Sequence, residues 1–126
     1  MNAPEPEKTY SVEEANALLP YLAPTLVELR DKLPQAVEIK QAIPRIAMGN
    51  GHSPEREQWS RTLARVDELL ERIQGWEVLL RDVDSGLVDF PTVMQGREAF
   101  LCWRLGEPDV AYWHFPEDGF AGRTPL

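Results

Sequence analysis

The sequence predicts an α+β fold: a long antiparallel helical hairpin, then a small antiparallel four-stranded β-meander and an irregular C-terminal tail. Three observations predict it. Apolar residues recur at helical spacing through two long stretches before Trp76. From Trp76 onward the pattern shortens to runs rich in aromatic and branched residues, separated by turn signals. The chain has 126 residues, 43% hydrophobic and 27% charged, which is the size and composition of a single globular domain, 1–126.

Residues 1–9 are rich in Pro and Glu and read as a disordered tail. The hairpin is expected over 11–75. Ser11 and Glu14 form a capping-box pattern that starts the first helix. Leu18, Leu22, Leu26, Leu29, Leu33, Val37 and Ile43 follow on one face. Pro20, Pro24, Pro34 and Pro44 interrupt it. An interior proline removes a hydrogen bond and clashes with the preceding turn, so a break or kink with a restart is expected at Pro20. Pro44 and Met48-Gly49-Asn50-Gly51 end the segment. Ser53-Pro54 begins the second helix as N-cap and first-turn proline. Trp59, Leu63, Val66, Leu70 and Ile73 make its seam, and Gly75 is the expected stop.

The sheet is expected over 76–116, with strands at Glu77–Asp82, Leu87–Phe90, Glu98–Leu105 and Val110–Phe115. Pro91 should end the second strand or place it at an edge. Residues 117–126 form the tail. Turns centred on Asp84-Ser85, Gln95-Gly96 and Glu107-Pro108 set the registers. They pair Leu79 with Phe90, Phe90 with Leu101, Asp89 with Cys102, and Leu101 with His114. One face then carries Leu79, Val88, Phe90, Leu101, Trp103, Leu105, Val110 and Tyr112 with Arg81 and His114, and is the expected core face. The other carries Val78, Leu80, Leu87, Phe100, Trp113 and Phe115 with Asp82, Asp89, Cys102 and Arg104. It is too apolar to be fully solvated, so a helix segment, the tail or a second subunit must cover it. A second subunit is favoured, which makes a homodimer the expected state.

The formal charge of −8 repels phosphate backbones and anionic lipid, so neither nucleic acid nor membrane is an expected partner. The densest basic stretch, Arg56 to Arg72, is interleaved with Glu and Asp. With one cysteine no intrachain disulfide forms. Met1–Lys8 lacks the apolar run of a signal peptide, and no apolar run reaches the ~18 residues of a membrane span. A cytoplasmic location is the expectation.

No phosphate-cradling glycine loop, paired Cys-x-x-Cys, His-x-x-x-His or nucleophile elbow occurs. The candidates are single residues. His114, among Tyr112, Trp113 and Phe115, is a candidate metal ligand or base, against the alternative of a hydrogen-bonded, half-buried histidine. Asp89, flanked by apolar residues, needs a partner, and Arg104 lies diagonally from it. That pair is a structural ion pair or an anion-binding Arg with its orienter. Glu107 is a turn carboxylate, expected to be exposed. Asp82, Asp84, Asp89 and Glu107 match no calcium loop. Cys102 reads as a small buried hydrophobe. A Cys102–His114 ligand pair requires a register other than the one above. Arg123, in the glycine-rich tail, could hold an anion.

Several of these residues lie in words that together resemble a known family. They are Tyr10-Ser11-Val12-Glu13-Glu14-Ala15-Asn16-Ala17-Leu18-Leu19-Pro20, Gly86-Leu87-Val88-Asp89-Phe90-Pro91, Leu101-Cys102-Trp103-Arg104-Leu105-Gly106-Glu107, Tyr112-Trp113-His114 and Gly119-Phe120-Ala121-Gly122-Arg123. Nearly the whole chain resembles the uncharacterised bacterial DUF2203 family, departing from its pattern at Pro34 and Pro44. The resemblance implies no established activity and carries over no catalytic residue.

Three functions are open at this level. One is a homo-oligomeric small-molecule- or metal-binding protein with its site on or beside the sheet. Ligand candidates are Asp89, Arg104, Glu107, His114 and Arg123, and a divalent metal would use His114, Asp89 and Glu107. The second is a protein–protein interaction module using the helical hairpin. The third is an enzyme with His114 or Asp89 as base.

Overall fold

A computed structural model describes residues 8–46 and 54–126. Most of the expected N-terminal tail, the Met48-Gly49-Asn50-Gly51 stop, and the Ser53 cap lie outside the described residues, as does His52.

Helix α1 spans Val12–Ile46. The Ser11–Glu14 capping box forms, with reciprocal bonds of 3.0 and 3.1 Å. The helix is not interrupted at Pro20, nor at Pro24, Pro34 or Pro44. Pro20, Pro24 and Pro34 are exposed, so the carbonyls they leave unpaired lie toward water. Leu22, Leu26 and Leu29 are fully buried on the opposite side, and their packing keeps the helix continuous through the lost bonds.

Helix α2 spans Pro54–Gly75. It runs antiparallel to α1: Pro24 and Arg72 line one groove between them, Lys32 and Arg61 another, and Arg65 is bonded to Glu28 at 2.6 and 2.7 Å. Its buried seam is Val66, Leu69 and Ile73, so Leu69 takes the place expected for Leu70. Gly75 lies within the last turn. The left-handed residue that ends the helix is Glu77 (φ 58°), whose N–H donates to the Gln74 carbonyl at 2.9 Å.

Five strands follow: β1 (Leu79–Asp82), β2 (Leu87–Met94), β3 (Arg97–Arg104), β4 (Tyr112–His114) and β5 (Thr124–Pro125). They form one antiparallel sheet in chain order. The fifth strand comes from the tail, after a 3₁₀ turn at Phe120–Gly122. Pro91 lies inside β2. Its carbonyl accepts from the Tyr10 N–H at 2.7 Å on the side β1 does not reach, so the missing proline donor leaves no ladder bond unmade. Tyr10 binds this edge further: its carbonyl accepts from the Thr92 hydroxyl, its own hydroxyl donates to the Trp76 carbonyl at 2.6 Å, and its ring meets Phe90 edge-on.

The β2–β3 turn has positive φ at both Gln95 and Gly96, the geometry of a two-residue hairpin loop. It pairs Phe90 with Leu101 and Asp89 with Cys102, as the sequence implies. The flanking pairings differ by one residue. Near its turn β1 keeps the expected register, Asp82 opposite Leu87, but an irregularity between Leu80 and Asp82 shifts the rest, so Leu79 faces Asp89 and not Phe90. On the other side the Gly106–Val110 loop places His114 opposite Phe100 and not Leu101. Side chains alternate faces, so each single-residue shift turns a strand over. Leu80 and Trp113 therefore join Val88, Phe90, Leu101 and Trp103 in the core against the helices, and Val78 is buried there too. Leu79, Tyr112 and His114 move to the outer face, which is where Arg81 meets Asp89.

Candidate functional site

The β3–β4 shift brings His114 to Asp89 and Cys102 on the outer face, and the β1 irregularity brings Arg81 to Asp89. Asp89 sits opposite Cys102, Cys102 opposite Tyr112, and His114 opposite Phe100, so the three come from three adjacent strands. One donor atom of each, a carboxylate oxygen, the thiol sulfur and a ring nitrogen, all lie within 4.8 Å of one another. The residues are 2%, 1% and 4% exposed. Cys102 and His114, on opposite faces in the register expected from the turns, thus share one face.

Both carboxylate oxygens of Asp89 and both ring nitrogens of His114 have defined partners. Asp89 Oδ2 accepts from Arg81 Nε at 2.9 Å, and Asp89 Oδ1 meets His114 Nε2 at 3.0 Å. His114 Nδ1 lies 2.7 Å from the Phe115 carbonyl, which only accepts, so Nδ1 carries a proton. Burial first, then the Asp89 carboxylate, pushes the Cys102 thiol up to about 12. A thiol in that state is no nucleophile at neutral pH, which argues against covalent cysteine catalysis.

Arg81, and not Arg104, is the cationic partner of Asp89. The sequence offered a weak signal for it: Arg81 follows the apolar run Val78-Leu79-Leu80, but its placement depends on the β1 irregularity. Its side chain is 45% exposed and its guanidinium lies 5.2 Å above the Phe100 ring. Arg104 is exposed and faces the Phe120 ring at 5.5 Å.

Glu107 stands outside the cluster. Its carboxylate accepts from the Arg104 N–H at 2.7 Å and from Arg123 Nη2 at 2.9 Å, and its side chain is 19% exposed, so the expected solvated turn carboxylate is instead a brace. Arg123 also donates to the Cys102 carbonyl at 3.3 Å and stacks 3.8 Å over Tyr112. The tail thereby covers the Tyr112 side of the outer face. Asp82 is occupied by the Ser85 N–H and hydroxyl. Of the residues singled out in the sequence, Asp89 and His114 converge with Cys102, Glu107 and Arg123 form a second pair alongside, and Arg104 reaches that pair only through its backbone N–H.

An α+β hairpin-and-meander protein with a buried Asp-Cys-His cluster on its outer sheet face is the class these features define. The family described as DUF2203, uncharacterized conserved protein, matches residues 8–126, and the chain belongs to it. No curated protein and no solved structure matches the chain. Among the described residues, no helix is long and apolar enough to cross a membrane.

Proposed function

We propose that this chain binds a divalent transition metal of the zinc class through Asp89, Cys102 and His114. The observation that carries the reading is the buried donor set itself: one oxygen, one sulfur and one nitrogen within 4.8 Å. Thiolate with imidazole favours zinc, cobalt or nickel over magnesium or calcium. The surrounding bonds suit ligation. The Phe115 carbonyl fixes His114 so that Nε2 points at the cluster, and Arg81 orients the Asp89 carboxylate. A bound cation would sit where His114 Nε2 meets Asp89 and displace the proton of Cys102. All three donors come from one chain, so the reading does not depend on a homodimer. Three protein donors leave one position of a tetrahedral metal open to water or a ligand.

The test is Co²⁺ titration of metal-free protein, read by the thiolate-to-cobalt charge-transfer absorption. One equivalent should bind. Cys102→Ser and His114→Ala should abolish the band, and Glu107→Gln should keep it. Folded protein that takes up no Co²⁺, or uptake untouched by Cys102→Ser, removes the reading.

A further inference from the structure

Beside the cluster the outer face is not covered by the tail. A groove of about 320 Å³ opens there, walled by Val78, Leu79, Pro91 and Phe100, with Glu77 and Glu98 also lining it. Groove and cluster share a wall. Phe100 pairs with both Pro91 and His114 across the strands, and its ring lies 5.6 Å from the His114 ring. Leu79 faces Asp89 directly. Arg81 stands over the same Phe100 ring. Among the described residues its terminal nitrogens donate no hydrogen bond, because Nε alone is engaged by Asp89. The half-exposed guanidinium therefore offers free donors over the Phe100 ring, which walls both the groove and the cluster.

Glu77 and Glu98 give the groove its charge rule. They add two carboxylates to its lining, and Glu77 is held at a left-handed φ of 58° that a side-chain-bearing residue rarely adopts. A second negative charge on a ligand lying in the groove would be repelled there, while a first, placed at Arg81, would be attracted.

Resting on the metal reading above, we infer that the open metal position takes a monocarboxylate with an apolar body. The carboxylate sits between the metal and Arg81. The body lies along Phe100, Leu79 and Pro91. The Glu77 and Glu98 carboxylates disfavour diacids.

The experiment titrates Co²⁺-loaded protein with butanoate, hexanoate, octanoate and octanedioate, following the cobalt visible spectrum. Each methylene buried should tighten binding about fourfold, so octanoate should bind far more tightly than butanoate. Octanedioate should bind at least tenfold more weakly than octanoate. Leu79→Ala, at a residue that is 39% exposed, shortens the apolar wall without adding a charge beside Asp89 and should weaken octanoate more than butanoate. Equal affinity for butanoate and octanoate, or for the diacid and the monoacid, overturns the inference. A protein that gives no cobalt spectrum at all overturns the metal assignment first, and this reading with it, so the two failures are told apart by the spectrum before any acid is added.

Discussion

His114→Ala separates the metal reading from a purely structural network. The wild-type ring is 4% exposed and makes two contacts, at 2.7 Å to the Phe115 carbonyl and 3.0 Å to Asp89. Truncation removes both and leaves Asp89, 2% exposed, with Arg81 as its remaining partner. Breaking one arm of a buried charged pair costs about 3–5 kcal/mol when the surviving charge is left alone. Arg81 still compensates Asp89, so the lower end applies, about 3 kcal/mol. That is a large part of a stability of roughly 5–15 kcal/mol, yet the variant should fold. In urea, with EDTA present, the midpoint should fall by roughly 2 M for an m-value of about 1.5 kcal/mol/M. Repeating the titration with Zn²⁺ at a hundred times its Kd should raise wild-type stability by about 2.7 kcal/mol and leave His114→Ala unchanged. A loss under about 1 kcal/mol in EDTA would refute the buried His114–Asp89 contact. Equal stabilisation of both proteins by Zn²⁺ would refute His114 as a ligand.

Three further outcomes test the frame around the site. Hydrogen bonds from Arg65 hold the Glu28 carboxyl down at about 2 against an ordinary 4.5. A depressed acid contributes stability that is present above about pH 4.5 and lost as the pH falls toward about 2. Melting temperatures should therefore drop more steeply over that window in wild type than in Glu28→Gln, and parallel profiles would contradict the pairing. Leu69→Ala should cost about 2–5 kcal/mol and Leu70→Ala under about 1 kcal/mol in chemical denaturation, because only Leu69 is fully buried. Gln95→Asn should stabilise by up to about 1 kcal/mol, since Asn accepts the left-handed φ of 55° more readily. A lowered melting temperature would argue against that turn.

The sequence by itself determined the α+β class, the start of α1 and the central hairpin. These are local matters. A capping box is settled within four residues, helical burial by spacing along one segment, and the Gln95-Gly96 turn by two residues that accept positive φ. The central register follows from that turn, which is why Asp89 opposite Cys102 was legible. Unbroken passage of α1 through its prolines was not, because local propensity opposes it and packing of Leu22, Leu26 and Leu29 decides it. Nor was the site. It depends on the irregularity beside Arg81, on the loop before β4, and on the tail returning as β5 with Arg123 laid over Tyr112. With a side-chain period of two, a one-residue shift moves His114 from the core face to the face of Asp89 and Cys102. No nearby residue announces that shift, because it is set by how strands distant in sequence fit together across the sheet. The tertiary structure alone therefore decided that an aspartate, a cysteine and a histidine meet.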